Sequence, residues 1–376
     1  MLEKKPQVYW FQNDHDHRNN LALHGMMQLS KQKSIDFFYL SKDRVKDFFS
    51  DPALIQYEHR HTSLLVIEQG QQRKKVLLDS EDSFAQFCPL IDDVDFHFIA
   101  AYNASIFEGQ TFFEPYSWQS REDVQFYQQC ATELIRQYGD QFDKIRPFIP
   151  IGPNAEPKRK TGKIEQKYHN LQHRLQKALG HTLYWEQKFQ DFEQRYRELF
   201  LLRNVALQYD VVLSDTLWNG WPEHRYNLHK VLHQLNKQYD IYASLKRHQG
   251  DQEPLPKLKL PLMTKAFLQD YEAMLAASRL AVFATGFHWG WRNIMTLALL
   301  WGIPVLMDRP VYEPYFDFST FSIFYNEDTH WGSVAERLAQ IDESAWNSIK
   351  QHNQQVYDQY LLPHKVAEYI LKTALA

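Results

Sequence analysis

Residues 281–324 read AVFATGFHWGWRNIMTLALLWGIPVLMDRPVYEPYFDFSTFSIF, and the order of residue types in this stretch decides the fold. An apolar run, Leu280–Ala284, has the length and composition of a buried strand and meets a turn holding Thr285, Gly286 and Gly290. A helix begins near Arg292 and Asn293, and Gly302 with Pro304 stops it before a second strand, Val305–Met307, and an acidic loop. Strand, turn, helix and strand in that order aim helix N-terminal amides and a fixed cation into a crevice at the carboxyl end of a strand. Anions, phosphates above all, bind well in such a crevice.

The same alternation extends in both directions. Upstream, Val211–Ser214 reads as a strand, DTLWNGWPEHR as its loop and Tyr226–Lys237 as a helix. Ile241–Leu245 is the next strand, with KRHQG at its end, and Lys265–Ala277 reads as a helix. The first ~150 residues show strands at Val8–Phe11, Ile35–Leu40, Leu64–Glu68, Val76–Asp79 and Phe96–Ala101, with helices expected at Asn19–Ser30, Ser41–Asp51, Ser83–Ile91 and Arg121–Tyr138. Short apolar strands alternating with helices indicate a mostly parallel sheet covered on both faces. Arg146–Pro157 carries four prolines plus Gly152 and Asn154 and reads as a boundary loop. Beyond it, Lys158–Arg203 is charged and helical in period, with Leu171, Leu175 and Leu179 at i, i+4 spacing. That segment is either a packing arm or a surface for a homo-oligomer or a protein partner. The expected organisation is α/β, two Rossmann-like doubly wound domains facing a cleft, with a helical linker and C-terminal helices. The boundaries are 1–150, 151–207, 208–342 and 343–376, the last being terminal helices broken at Pro363.

Composition narrows the function classes. A chain of 376 residues exceeds the usual single core, and 44% hydrophobic content argues against disorder. A formal charge of −4 supplies no basic excess for nucleic acid. Cys88 and Cys130 are too few for a disulfide framework or a cysteine zinc site. The start, MLEKKPQVYWF, lacks a signal-peptide core, and no run of about 18 apolar residues occurs. A cytoplasmic protein is expected, and 10 Trp and 25 Phe leave room for a peripheral contact with the inner face of a membrane.

With those elements in place, the stretch from Gly286 to Phe324 resembles the C-terminal signature of exostosin-like glycosyltransferases, a family of the two-domain GT-B fold. The matching residues are Gly286, Arg292, Gly302, Pro304, Val305, Asp308, Pro314, Tyr315, Asp317, Phe318, Ser319, Phe321 and Ser322, in about an eighth of the chain. His288, Trp289 and Trp291 depart from the basic or small residues usual before the helix. The resemblance implies a transferase using a nucleotide-diphosphate sugar, with the donor on the C-terminal domain. It implies a glycan, lipid-linked or protein acceptor on the N-terminal domain, inversion at the sugar, no resident cofactor and no metal dependence. Two other readings of the same architecture stay open: a non-catalytic GT-B-like subunit that binds a partner glycosyltransferase, and a nucleotide-sugar isomerase.

Transfer from a nucleotide sugar needs cations or helix N-termini for the leaving diphosphate and a base for the acceptor hydroxyl. Arg292 leads the donor candidates, because an arginine fork at a helix start suits bidentate contact with phosphate; the alternatives are a surface arginine or a pairing with Asp308. Thr285 and Gly286 line the same strand end, and Asn293 is either a ligand or a helix-start residue. Lys246 and Arg247 end the second C-domain strand. Arg225 is preferred in the loop that also holds Asp215, Asn219 and His224. Glu313 is a candidate for ribose or sugar hydroxyls, or a structural carboxylate. For the base, two loops compete: NDHDHR, with Asp14, His15, Asp16 and His17, and the loop after Leu78, with Asp79, Glu81 and Asp82. The alternating Asp and His also fit a metal site, but no third ligand group is fixed by spacing. Trp118, Trp218 and Trp221 are either sugar-stacking rings or core.

Overall fold

The computed structural model describes residues 4–11, 13, 17–49, 61–149, 181–217, 221–247 and 258–376, without the side chains of 181–184 and 287. Its N-terminal elements are β1 (Gln7–Phe11), α1 (Asn20–Lys31), β2 (Asp36–Leu40), β3 (Thr62–Gln69), β4 (Gln72–Asp79), β5 (Phe96–Ile99), α2 (Ala104–Phe107), α3 (Arg121–Tyr138) and β6 (Ile145–Pro147). They are followed by α4 (His181–Leu201), β7 (Tyr209–Leu217), α5 (Pro222–Leu235), β8 (Ile241–Arg247), β9 (Leu262–Met263), α6 (Tyr271–Ala276), β10 (Ser278–Phe283), α7 (Asn293–Trp301), β11 (Val305–Asp308) and β12 (Ile323–Asn326). Three helices close the chain: α8 (Ser333–Gln340), α9 (Glu343–Tyr360) and α10 (Pro363–Leu375). No helix among the described residues is long and apolar enough to cross a membrane.

Two six-stranded sheets result, in the orders β2-β1-β3-β4-β5-β6 and β12-β11-β10-β7-β8-β9. The α/β architecture expected from the alternation is therefore present in both halves. The second sheet is parallel except for β9 at its edge. The first departs from the mostly parallel arrangement, because β3 runs antiparallel to both β1 and β4. The cause is a hairpin: Gln69 pairs with Gln72 and Gly70 sits at φ 65, so β3 and β4 are joined by a two-residue turn with no intervening helix. Two expected helices shrink to 3₁₀ turns. Ser41–Asp51 is represented by Lys42–Asp47, and Ser83–Ile91 by Phe84–Gln86 and Pro89–Asp93, interrupted where Pro89 denies an amide. Lys265–Ala277 is helical only over Tyr271–Ala276, where Asp270 accepts from the Glu272 amide.

Other expectations hold closely. Helix α3 spans Arg121–Tyr138, with Ser120 accepting from the Asp123 amide at 3.0 Å. Asp342 caps α9 in the same way, through the Ala345 amide at 2.8 Å. The proline-rich boundary lies largely outside the described residues, as do Leu171, Leu175 and Leu179. The described part of the linker, α4, is a packing arm. Its Phe192, Tyr196 and Leu199 are buried, Arg195 pairs with Glu272 at 2.7 Å, and His24 of α1 meets Glu193 at 2.6 Å.

The last helix returns to the first sheet. Helix α10 packs on α1 and on β3 and β4, and Tyr369 donates to the Pro147 carbonyl at 2.7 Å. The close approach depends on Gly25, where a Cβ would drive into the backbone carbonyl of Pro363. Gly25→Ala must push α10 off α1, because backbone cannot yield as a flexible side chain would. A loss of about 2–3 kcal/mol in unfolding free energy by urea titration is expected, the scale of overpacking in a dense core.

Candidate functional site

The carboxyl ends of β7, β10 and β11 converge on a buried network of charge. Asp215, near the end of β7, is buried and receives both terminal nitrogens of the Arg292 guanidinium, Nη1 at 3.2 Å. His229 adds a contact to Asp215 Oδ2 at 3.4 Å. Burial would push this carboxyl's pKa up, but Arg292 and then Arg225 outweigh burial and hold it well below the usual carboxylate range. Arg225 is itself buried, and its fork donates to the carbonyls of Thr216 at 2.8 Å and Thr285 at 3.2 Å. It braces the end of β7 against the turn after β10. Burial lowers its pKa to about 10, partly offset by Asp215.

A second buried carboxylate, Asp308 at the end of β11, anchors the neighbouring turn. It accepts from the Thr285 amide at 2.8 Å, from His224 Nε2 at 3.0 Å and from Asn326 at 3.1 Å. Arg292 pairs with Asp215, not with the Asp308 that one alternative reading of the sequence named. Helix α5 adds to the same acid: Arg225 and His229 are four residues apart, so one face of that helix turns both toward Asp215. Gly286 has its own structural reason, because a Cβ there would strike the carbonyl of Gly290.

The expected donor residues divide into two groups. Arg292, Thr285 and Gly286 line one small cavity together with Asp308, Trp289, Trp291 and Met307. Arg225 stands behind it as a brace. Lys246 and Arg247 are exposed at the end of β8 and do not line that cavity, and neither does Asn293, an exposed residue that begins α7. Glu313 also lies elsewhere: its amide donates to the Tyr102 carbonyl at 2.8 Å, and its carboxylate accepts from the Ala104 amide at 3.3 Å. It caps α2 and stitches the two halves together.

On the N-terminal side, Asp82 forms a two-pronged pair with Arg18 at 2.8 and 3.0 Å, so its oxygens are committed to a cation. Asp79 is wholly buried and accepts from the amides of Glu81 and Cys88 and from His97. Asp14, His15 and Asp16 lie outside the described residues. Among the described residues, no three His, Cys, Asp or Glu side chains gather as a metal site would require.

The feature least visible in the sequence is what fills the crevice. The loop from Phe112 to Trp118 reaches from the N-terminal half across these strand ends. The Trp118 indole stacks on His224 with centroids 3.9 Å apart and planes 9° apart, and Tyr116 stacks on Trp118 at 5.0 Å. The Tyr116 hydroxyl donates to the Arg309 carbonyl and contacts the Thr285 side chain. Phe113 and Tyr127 pack on Trp289 at 5.2 and 4.1 Å, and Tyr127 bonds His288. The cavity beside Thr285 and Arg292 is about 20 Å3, room for one water, and its walls come from residues 283–310.

No family model matches the sequence, and no curated protein matches it. Among solved structures the chain is similar to the spinosyn rhamnosyltransferase SpnG complexed with spinosyn aglycone, at 13% identity and TM-score 0.27 over 46% of this chain and 47% of that one. It thus spans about half the length of that relative. It is similar to CalG4, the calicheamicin glycosyltransferase, at 10% identity and TM-score 0.33, covering 100% of this chain and 99% of that one. A putative UDP-N-acetylglucosamine 2-epimerase from Listeria monocytogenes gives 11% identity and TM-score 0.33, over 98% and 95% of the two chains. Overlaps of this size leave the functional reading to the geometry of the chain itself.

Two outcomes test the charge network. Arg292→Ala leaves Asp215 buried without its fork, and a loss of about 3 kcal/mol in unfolding free energy is expected by urea titration. The pH dependence has a definite sign. The folded-state pKa of Asp215 is depressed, so its stabilisation is complete above the unfolded value of about 4 and disappears as pH falls through the folded value. Acid titration of stability should therefore fall more steeply below about pH 4 for the wild type than for Asp215→Asn.

Proposed function

We propose that this chain transfers a sugar from a nucleotide-diphosphate sugar, as an exostosin-like, GT-B-type glycosyltransferase acting in the cytoplasm. The observation that carries the reading is Arg292: it stands at the start of α7, is aimed by Asp215 and lines a cavity with Thr285 and Gly286. Two of its terminal nitrogens are taken by the carboxylate. Guanidinium carries five N–H donors, so others remain for a phosphate oxygen. The first amides of α7 have no partner within the helix and add to the anion preference.

In the proposed reaction the acceptor hydroxyl oxygen attacks the anomeric carbon while a base takes its proton. The bond from that carbon to the diphosphate oxygen breaks, and the diphosphate leaves with the electron pair. Arg292 and the α7 amides stabilise the charge that develops on it. Attack from the face opposite the leaving group inverts the centre. The acceptor, a glycan, lipid-linked or protein group, belongs to the N-terminal half. Asp82 is held by Arg18, so we assign the base to the Asp14–His17 loop.

One observation favours a second reading, a non-catalytic subunit of the same architecture: Tyr116 and Trp118 occupy the space above Thr285 and Asp308. A thermal-shift panel of UDP, GDP, dTDP and ADP and their sugars separates the two, since a ligand that binds only the folded state raises its melting temperature. The transferase reading expects a shift with at least one nucleotide. It also expects Arg292→Lys, which keeps the charge but loses the fork, to bind that nucleotide about tenfold more weakly by calorimetry. Unchanged affinity removes Arg292 from the donor site.

A further inference from the structure

Resting on the donor reading above, we propose that the Phe112–Trp118 loop is an autoinhibitory plug. It holds the donor crevice shut with the chain's own aromatic rings, and a nucleotide sugar enters only by displacing it.

The packing of the loop points this way. Besides its neighbour Tyr116, the Trp118 ring meets Trp221 and His224, both of the C-terminal half. Both Trp118 and Tyr116 remain only half-buried, unlike the core aromatics beneath them. What they cover is part of the polar floor already described: His224, itself bonded to Asp308, under the indole, and the Thr285 side chain under the Tyr116 hydroxyl. A ligand that reaches Arg292 past the Thr285 side chain needs the place of the Tyr116 hydroxyl, and the cavity beside Arg292, about 20 Å3, admits no diphosphate by itself.

The loops facing the plug carry strain. Trp221, His288 and Trp289 all sit in the left-handed region, at φ 49, 51 and 64. Bulky residues adopt that region only when their surroundings impose it. Here the surroundings include the plug and α3: Trp221 meets Trp118 at 5.7 Å, Trp289 meets Phe113 at 5.2 Å, and His288 bonds Tyr127. Withdrawing the loop frees Trp221 and Trp289 of Trp118 and Phe113, and any relaxation of these two residues offsets part of the stacking lost. The closed and open arrangements are thereby brought near enough in free energy for a ligand to choose between them. In such an equilibrium the apparent affinity is the intrinsic affinity multiplied by the open fraction. Weakening the plug therefore tightens binding without adding any contact to the ligand.

The test is calorimetric titration of UDP, GDP, dTDP and ADP into four full-length proteins: wild type, Trp118→Ala, Trp118→Phe and Tyr116→Phe. Trp118→Ala should bind the preferred diphosphate at least about tenfold more tightly than wild type. Tyr116→Phe, which loses only the hydroxyl tether, should gain about threefold and serves if Trp118→Ala fails to fold. Trp118→Phe keeps a flat ring and should stay within about threefold of wild type. Adding Arg292→Lys to Trp118→Ala should cost about as much affinity as it does in the wild type. If Trp118→Ala and Tyr116→Phe bind no more tightly while Arg292→Lys still weakens binding, the plug is wrong and the donor site stands. If neither wild type nor Trp118→Ala binds any of the four diphosphates, the donor reading falls and the plug falls with it.

Discussion

Burying Asp215 between two arginines forces the ends of β7 and β10 to share one charge balance, because neither the carboxylate nor Arg225 reaches bulk water. Arg225 spans the gap by binding one carbonyl from each strand end, and Arg292 brings the start of α7 to the same carboxylate. Asp308 repeats the device one strand over, holding the Thr285 amide and His224 together. Two buried acids thus specify where three strand ends, one turn and two helix starts must lie. An isolated acid at either position would be too costly to bury. The same geometry brings Arg292 to one cavity with Thr285 and Asp308.

Much of this was legible in the sequence where local chemistry decides it. Gly286, Arg292, Gly302 and Pro304 mark the turn, the helix start and the helix stop, and the structure keeps each one there. The ends of α3 were equally plain, because Ser120 before a charged helical run is a local capping signal. Long-range pairing was not legible. Nothing near Arg292 says that Asp215 is its partner, 77 positions away. Yet the i, i+4 spacing of Arg225 and His229 was a usable pointer to a shared acidic target. The β3–β4 hairpin was missed for a different reason: a two-residue turn at Gly70 is a weak mark between strands whose apolar runs suit either direction. Asp82 and Glu313 stand in loops suited to catalysis, and only tertiary pairing with Arg18 and Ala104 shows what holds them.

The seam between the halves explains an odd feature of the composition. Aromatic content of 15% is high, and a share of it lies where the two sheets meet: Phe84, Phe113, Tyr116, Trp118, Tyr127, Trp221 and Trp289. Flat rings with few rotamers interlock at low entropic cost, and offset or edge-on contacts tolerate small slides. A seam built this way suits two bodies that separate and re-form repeatedly. Buried ion pairs would suit it less, since each opening would expose and rehydrate them. In this chain the buried carboxylates Asp79, Asp215 and Asp308 each lie inside one half or the other, and the aromatic rings occupy the seam.

The return of α10 to α1 has a consequence for the order in which the chain can be assembled. On the ribosome, residues 1–149 emerge long before residues 363–375, so the face of α1 around Gly25 stays open to solvent throughout most of synthesis. Domains usually complete themselves in the order they are made. This N-terminal half cannot, because the helix that closes its core is translated only after the whole of the second sheet.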